Sequence, residues 1–199
     1  VTIDGIFVGH ILGQDGLAEH DSRYDRADDF LDLSYKLWEG SWEDGAVVAD
    51  KARRIHVLPD KVHVVSHEGP FYRTNAIHMS APSPQRTPVL FQAGTSARGL
   101  RFAGQHAEGI FIGARTPEAA RDASRKLRQA AVDAGRRPED IKIYVGVAVV
   151  PGRTEAEARA KYAEYLAHAS PEGGLAHFAA STGVDFAKYG LDEPIAFGN

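Results

Sequence analysis

The sequence predicts an α/β protein built on parallel strands: either a small open α/β domain or a piece of a larger (β/α)8 barrel. Three observations lead there. Short apolar runs at 88–94, 108–114 and 141–150 alternate with amphipathic segments at 96–107, 117–134 and 155–168. The connections between them are short, as in repeated strand–helix units. A closed (β/α)8 barrel needs eight strands and about 250 residues, and this chain has 199.

Taken in order, residues 1–13 (VTIDGIFVGHILG) are apolar and β-branched, which favours a strand or buried loop over a helix. Ser22 and Asp25 stand at capping-box spacing. Tyr24, Ala27, Phe30/Leu31, Ser34 and Leu37/Trp38 then recur at helical spacing, predicting an amphipathic helix over 22–38 with Gly40 just beyond it. Residues 39–87 carry scattered Gly, Pro, Asp, His and aromatics without a sustained period, so they read as an excursion from the scaffold. Within it, 61–65 and 71–74 can pair as a small hairpin around His67-Glu68-Gly69-Pro70.

The second half is regular. PVLFQAG (88–94) reads as a buried strand, and the following helix has Ser96 at its N-cap. EGIFIGA (108–114) is a second buried strand. Thr116-Pro117-Glu118 supplies N-cap, first-turn proline and acidic first turn for a helix that Gly135 stops. After the strand at 141–150, Thr154 and Glu157 form a capping box, and the last 30 residues predict one short helix followed by a loop.

Composition narrows the chemistry. Lys and Arg number 23 against 27 Asp and Glu, a net charge of −4 that does not gather nucleic-acid phosphates. With no Cys, disulfides, thiolate metal sites and cysteine nucleophiles are excluded. No apolar run approaches the roughly 20 residues of a membrane span, so the expected compartment is the cytoplasm and no membrane partner is expected.

The turn Gly94-Thr95-Ser96 joins a strand to a helix. First-turn amides carry partial positive charge and bond phosphate oxygens, while Thr95 and Ser96 add hydroxyls. The same pattern also suits an ordinary capped turn. His20 and Tyr24, at the start of the first helix, can hold an anion or a flavin edge, or simply form a cap over a half-buried aromatic. Asp25, Asp28 and Asp29 read as dipole-complementing, water-facing carboxylates, and Trp38 and Trp42 as packing anchors. His63 and His67 share one strand face but have no third ligand nearby, so no metal is expected.

RYDRADDFLDLSYKLWEGSWEDGAVVAD, HEGPFY and SPQRTPVLFQAGTSARGLRFAGQHAEGIFIG, in that order, resemble the nitrilotriacetate/dibenzothiophene-sulfone monooxygenase group of bacterial-luciferase-like flavin monooxygenases. The resemblance covers about 16–170. It implies a partial (β/α)8 TIM barrel, about half of it present, with residues 1–199 as one partial domain and 39–87 as an insertion. It implies that the chain is the middle of a longer protein. It implies FMN contacts from His20, Tyr24, Gly94, Thr95 and Ser96, and from Thr2 at a strand end resembling the family's Val-Thr. The family follows that Thr with Ser and has Arg-Asn-Phe-Gly before the helix, whereas this chain has Ile3 and His10-Ile11-Leu12-Gly13.

The implied activity is oxygenation of a small organic substrate by O2 and reduced FMN through a C4a-(hydro)peroxyflavin. A separate NAD(P)H:FMN oxidoreductase supplies the flavin, and the protein is a homo-oligomer or pairs with a complementing barrel half. No residue is assigned as catalytic. The alternatives are a non-catalytic flavin-binding or interaction subunit, and an unrelated small phosphate-binding α/β protein.

Overall fold

A computed structural model of the chain describes residues 19–182, 184–190 and 193. The strand expected at 1–2 lies outside them. The described residues fall in two compact units, Glu19–Gly146 and the part from Val147 onward.

The first unit opens with α1, His20–Gly40. Its buried stripe is Tyr24, Ala27, Leu31 and Ser34, the period expected from sequence, with Asp29 added to it. The expected capping box at Ser22 is not used. The helix begins two residues earlier, and the Glu19 carboxylate caps it by accepting the Ser22 amide at 3.2 Å. An acidic side chain there satisfies one orphan donor and meets the positive end of the helix dipole.

The excursion after α1 is two antiparallel hairpins. β1 (Val47–Asp50) pairs β2 (Ile55–Val57), and β3 (Val65–Glu68) pairs β4 (Arg73–Ala76). The second is the hairpin expected around 67–70, although its first strand starts later because Pro59–Lys61 takes a single 3-10 turn. Trp42 anchors the returning chain by donating its indole N–H to the His78 carbonyl at 2.8 Å.

The scaffold follows as three parallel strands, β5 (Phe91–Ala93), β6 (Gly109–Gly113) and β7 (Lys142–Gly146), side by side in chain order. The crossovers are α2 (Ala97–His106) and α3 (Pro117–Asp133). Ser96 and Thr116 cap them as their sequences predict, accepting the amides of Gly99 and Ala119. Both helices lie on one face of the sheet, around Ala103, Ala107, Ile110, Ile112, Leu127, Ala131 and Ile141. Each fully buried Ile or Leu there contributes roughly 1.5–3 kcal/mol. The helices approach closely at Gly104, where a Cβ would lie 2.3 Å from the Ala130 carbonyl oxygen.

In the sequence, β5 and β6 read as buried strands. On the opposite face, however, Phe91, Phe111 and Tyr144 form a row of ring contacts at 5.3–5.7 Å, and Phe111 is 52% exposed. The period-two alternation of a strand puts successive side chains on opposite faces, and only one face carries helices.

The second unit contains α4 (Glu155–Ala167), α5 (Pro171–Thr182) and a 3-10 turn at Phe186–Lys188. Thr154 caps α4, but the Glu157 carboxylate accepts the Arg153 amide, one residue before the N-cap that a full capping box would serve. The Phe178 and Phe186 rings meet at 5.8 Å.

Candidate functional site

The β5–α2 turn is the chemically distinctive part of the first unit. Gly94 holds φ at +134°, a conformation that L side chains rarely adopt, and turns the chain from strand into the Ser96 cap. Ser96 Oγ accepts the Gly99 amide at 3.1 Å, and the Ser96 carbonyl accepts that of Leu100 at 2.8 Å. The amides of Ala97 and Arg98 are left without an intrahelical acceptor and face whatever meets the turn. The Ser96 hydroxyl keeps its own hydrogen to donate. Gly94, Thr95 and Ser96 are all exposed, so the mouth is open.

Tyr24 comes to this turn from α1. Its ring is 3% exposed and lies against Phe102, with ring centroids 5.4 Å apart. Its phenol oxygen sits directly beneath the turn: a Cβ on Gly99 would lie 2.7 Å from it, and one on Gly94 3.2 Å. Two glycines are therefore what let the backbone close over the phenol. His20, one helical turn earlier, sets its ring edge-on to Tyr24 at 5.3 Å and bonds Asp21 at 2.7 Å.

Thus five of the six residues expected at the site, His20, Tyr24, Gly94, Thr95 and Ser96, come together around one turn. Thr2 lies outside the described residues.

Around them is a polar network that sequence reasoning did not assign. Arg98 stacks its guanidinium over the Tyr24 ring at 5.4 Å and pairs with Asp25, at 3.0 Å, and with Asp28. Burial opposes the Arg98 charge, but the hydrogen bonds it donates to Asp28 and Asp25, with the attraction of their charges, outweigh burial and raise its pKa. Asp28 also accepts from His106 Nε2 at 3.0 Å, and Tyr35 donates to His106 Nδ1 at 3.0 Å. Arg98 is thus neutralised within the protein, and the pull on an anion at the turn comes from the helix amides and hydroxyls. The signal available in sequence was spacing. Asp25 and Asp28 are three apart on the helix that carries Tyr24, while Arg98 and His106 flank the next helix.

Asp29 corrects the expectation of a water-facing carboxylate. It is 6% exposed and accepts three bonds at 2.8 Å, from His67 Nε2 and from the amides of Phe71 and Tyr72. Burial pushes its pKa up, but the Phe71 amide, His67 and the Tyr72 amide together hold it below the ordinary 3.8. His67 Nδ1 accepts from Lys36 at 3.0 Å, so the candidate metal-binding histidine is taken by protein partners. His63 is likewise held, 2.7 Å from Glu43. Among the described residues no cluster of His, Asp and Glu could hold a metal ion, and no helix is long and apolar enough to cross a membrane.

The luciferase-like monooxygenase family model matches residues 8–193. The chain belongs to the luciferase-like monooxygenase family. It is 47% identical over 184 residues to a dimethyl-sulfide monooxygenase of Hyphomicrobium sulfonivorans, covering 92% of this chain and 38% of that protein. Among solved structures, it matches a long-chain alkane monooxygenase with a TM-score of 0.87 and 42% identity, over 94% of this chain and 43% of the other. It matches a riboflavin lyase, solved with a modified FMN and riboflavin, with a TM-score of 0.86 and 42% identity, over 94% and 41%. The chain spans about two fifths of the length of these luciferase-like relatives. Its β5–β6–β7 layer with α2 and α3 is part of the family's TIM barrel.

Proposed function

We propose that this chain carries the phosphate-binding part of an FMN-dependent monooxygenase that uses reduced flavin and O2 to oxygenate a small organic substrate. The observation that carries this reading is the phenol of Tyr24 directly beneath the open Gly94–Gly99 turn, where the amides of Ala97 and Arg98 have no intrahelical acceptor. The donor set fits a phosphate ester. Backbone N–H groups, the Thr95 and Ser96 hydroxyls and a phenol belong to or adjoin one helix N-terminus, and the Arg98 guanidinium there is already paired.

In this reading the amides of Ala97 and Arg98, with Thr95 and Ser96, hold the phosphate. Tyr24 donates to it from below, His20 borders the flavin or substrate side, and Thr2 is a further flavin contact, as the resemblance to the family's Val-Thr implies. When bound, reduced flavin supplies the activation of O2. The protein's task is to anchor and orient the cofactor and to exclude water from the reacting region. A separate NAD(P)H:FMN oxidoreductase supplies the reduced flavin, and the reaction belongs to the cytoplasm. The relatives named above act on an organic sulfide, an alkane and a flavin. They support a small organic substrate without selecting one.

A second reading is favoured by the half-exposed row of Phe91, Phe111 and Tyr144. These rings lie on the sheet face without helices, which supports a chain that binds flavin but turns over only with a complementing barrel half or in a homo-oligomer.

Titrating the chain with FMN and with riboflavin tests the proposal, because the two share the ring system and differ by the phosphate. FMN is expected to bind at least about tenfold tighter. Equal affinities would remove the phosphate site and the proposal with it.

A further inference from the structure

Gln92 is the middle residue of β5, 8% exposed, and its side chain lies under the same turn. Its Nε2 is 3.3 Å from the Tyr24 phenol oxygen and 3.3 Å from the place a Cβ on Gly94 would occupy. Its Oε1 is buried and has no hydrogen-bond partner among the described residues. A buried amide with one end unsatisfied carries a desolvation cost that an apolar side chain of similar volume avoids. Packing alone therefore does not call for glutamine here.

Nε2 faces the phenol oxygen, so the amide is the donor in this contact. With Nε2–H donating, the phenol oxygen is an acceptor toward Gln92, and its single hydrogen must point elsewhere. The phenol oxygen lies against the Gly94–Gly99 turn, so close that a Cβ on either glycine would meet it.

We propose that Gln92 is a positioning residue: by donating to the Tyr24 oxygen, it turns the phenol O–H outward, so that Tyr24 acts as a hydrogen-bond donor to the phosphate of FMN at the turn. The inference rests on the phosphate-site reading above and adds the residue that gives the phenol its direction. Gln92 acts through Tyr24 and does not itself touch the ligand.

The test uses the full chain and measures the affinity ratio of FMN to riboflavin, which isolates the phosphate. Gln92→Met is unbranched and close in volume. It is expected to match or exceed the wild-type melting temperature, to leave riboflavin affinity unchanged and to lower the ratio roughly tenfold. Tyr24→Phe is expected to lower the ratio by a similar factor, and the double variant Tyr24→Phe/Gln92→Met to lower it no further, because both act through one bond. Gln92→Glu, whose carboxylate accepts the phenol hydrogen and turns it away from the ligand, should lower the ratio at least as much. It provides the same comparison if Gln92→Met does not fold. A wild-type chain with no preference for FMN would overturn the phosphate reading and this inference together. A wild-type preference that survives both Gln92 variants, or additive losses in the double variant, would overturn the inference alone.

Discussion

Two polar centres hang from the same helix, five residues apart, and they are built in opposite ways. At Asp29 every functional group is taken. The carboxylate accepts from His67, Phe71 and Tyr72, His67 accepts in turn from Lys36, and Gly69 leaves no space at all, since a Cβ there would lie 1.7 Å from Asp29 Oδ1. At Tyr24 the donors outnumber the acceptors. The Ala97 and Arg98 amides and the Thr95 and Ser96 hydroxyls stand at an open turn above the phenol. The first centre is a clasp that fixes the β3–β4 hairpin to α1. The second has unmatched donors, as a site for an external anion should. Satisfied buried polar groups mark structure, and unsatisfied ones concentrated at one turn mark a ligand.

The comparison breaks most readily at the clasp. Gly69→Ala forces a methyl into the Asp29–His67 contact, so a loss of roughly 3 kcal/mol is expected in chemical denaturation. In any fraction that still folds, the ratio of FMN to riboflavin affinity should stay at the wild-type value, because the turn is built from other residues. A Gly69→Ala chain of unchanged stability would remove the clasp from the account.

The converse change is Gly99→Ala. Alanine suits a helix by up to about 1 kcal/mol more than glycine, but overpacking against the buried Tyr24 outweighs this, so a net loss of roughly 1–2 kcal/mol is expected in chemical denaturation. The new methyl meets the Tyr24 oxygen at 2.7 Å and should displace the phenol. The expected result is a loss of about tenfold in FMN affinity, about 1.4 kcal/mol, with riboflavin affinity unchanged. Ser96→Ala removes the side-chain cap of α2. Losing the N-cap costs about 1 kcal/mol, seen as a lower denaturation midpoint, together with a weaker FMN preference.

The smallest effect is acid dependence. Asp29 has a folded pKa below 3.8, so its contribution is fully present above that value and is lost as pH falls through the lower folded one. Asp29→Asn should be less stable than wild type near neutrality. Its melting temperature should then approach that of wild type as pH drops below about 4. A gap that stays constant down to pH 2 would mean that the carboxylate charge is not what the clasp uses.

What the sequence revealed of this comparison divides by distance along the chain. Ser96 and Thr116 as caps, Pro117 in the first turn and the three parallel strands are local patterns, and they form as expected because short-range capping and periodicity decide them. The Tyr24 turn was legible through the resemblance, although Gln92, 68 residues from Tyr24, was not. Asp29 was misread for the same reason. Its partner His67 is 38 residues away, and nothing near Asp29 announces a carboxylate that serves a distant turn. The β1–β2 hairpin escaped because its turn places Arg54 at φ +56°, where sequence rules look for Gly, Asn or Asp.

The central claim is that the open turn, and not the clasp, is where the phosphate binds. The most direct measurement is an amide-resolved NMR titration of the chain with FMN, repeated with riboflavin. The account predicts saturable shifts at the backbone amides of 95–99 with FMN that riboflavin does not produce, while those of Gly69, Phe71 and Tyr72 stay still with both. Shifts confined to those three, or identical patterns from the two flavins, would contradict it.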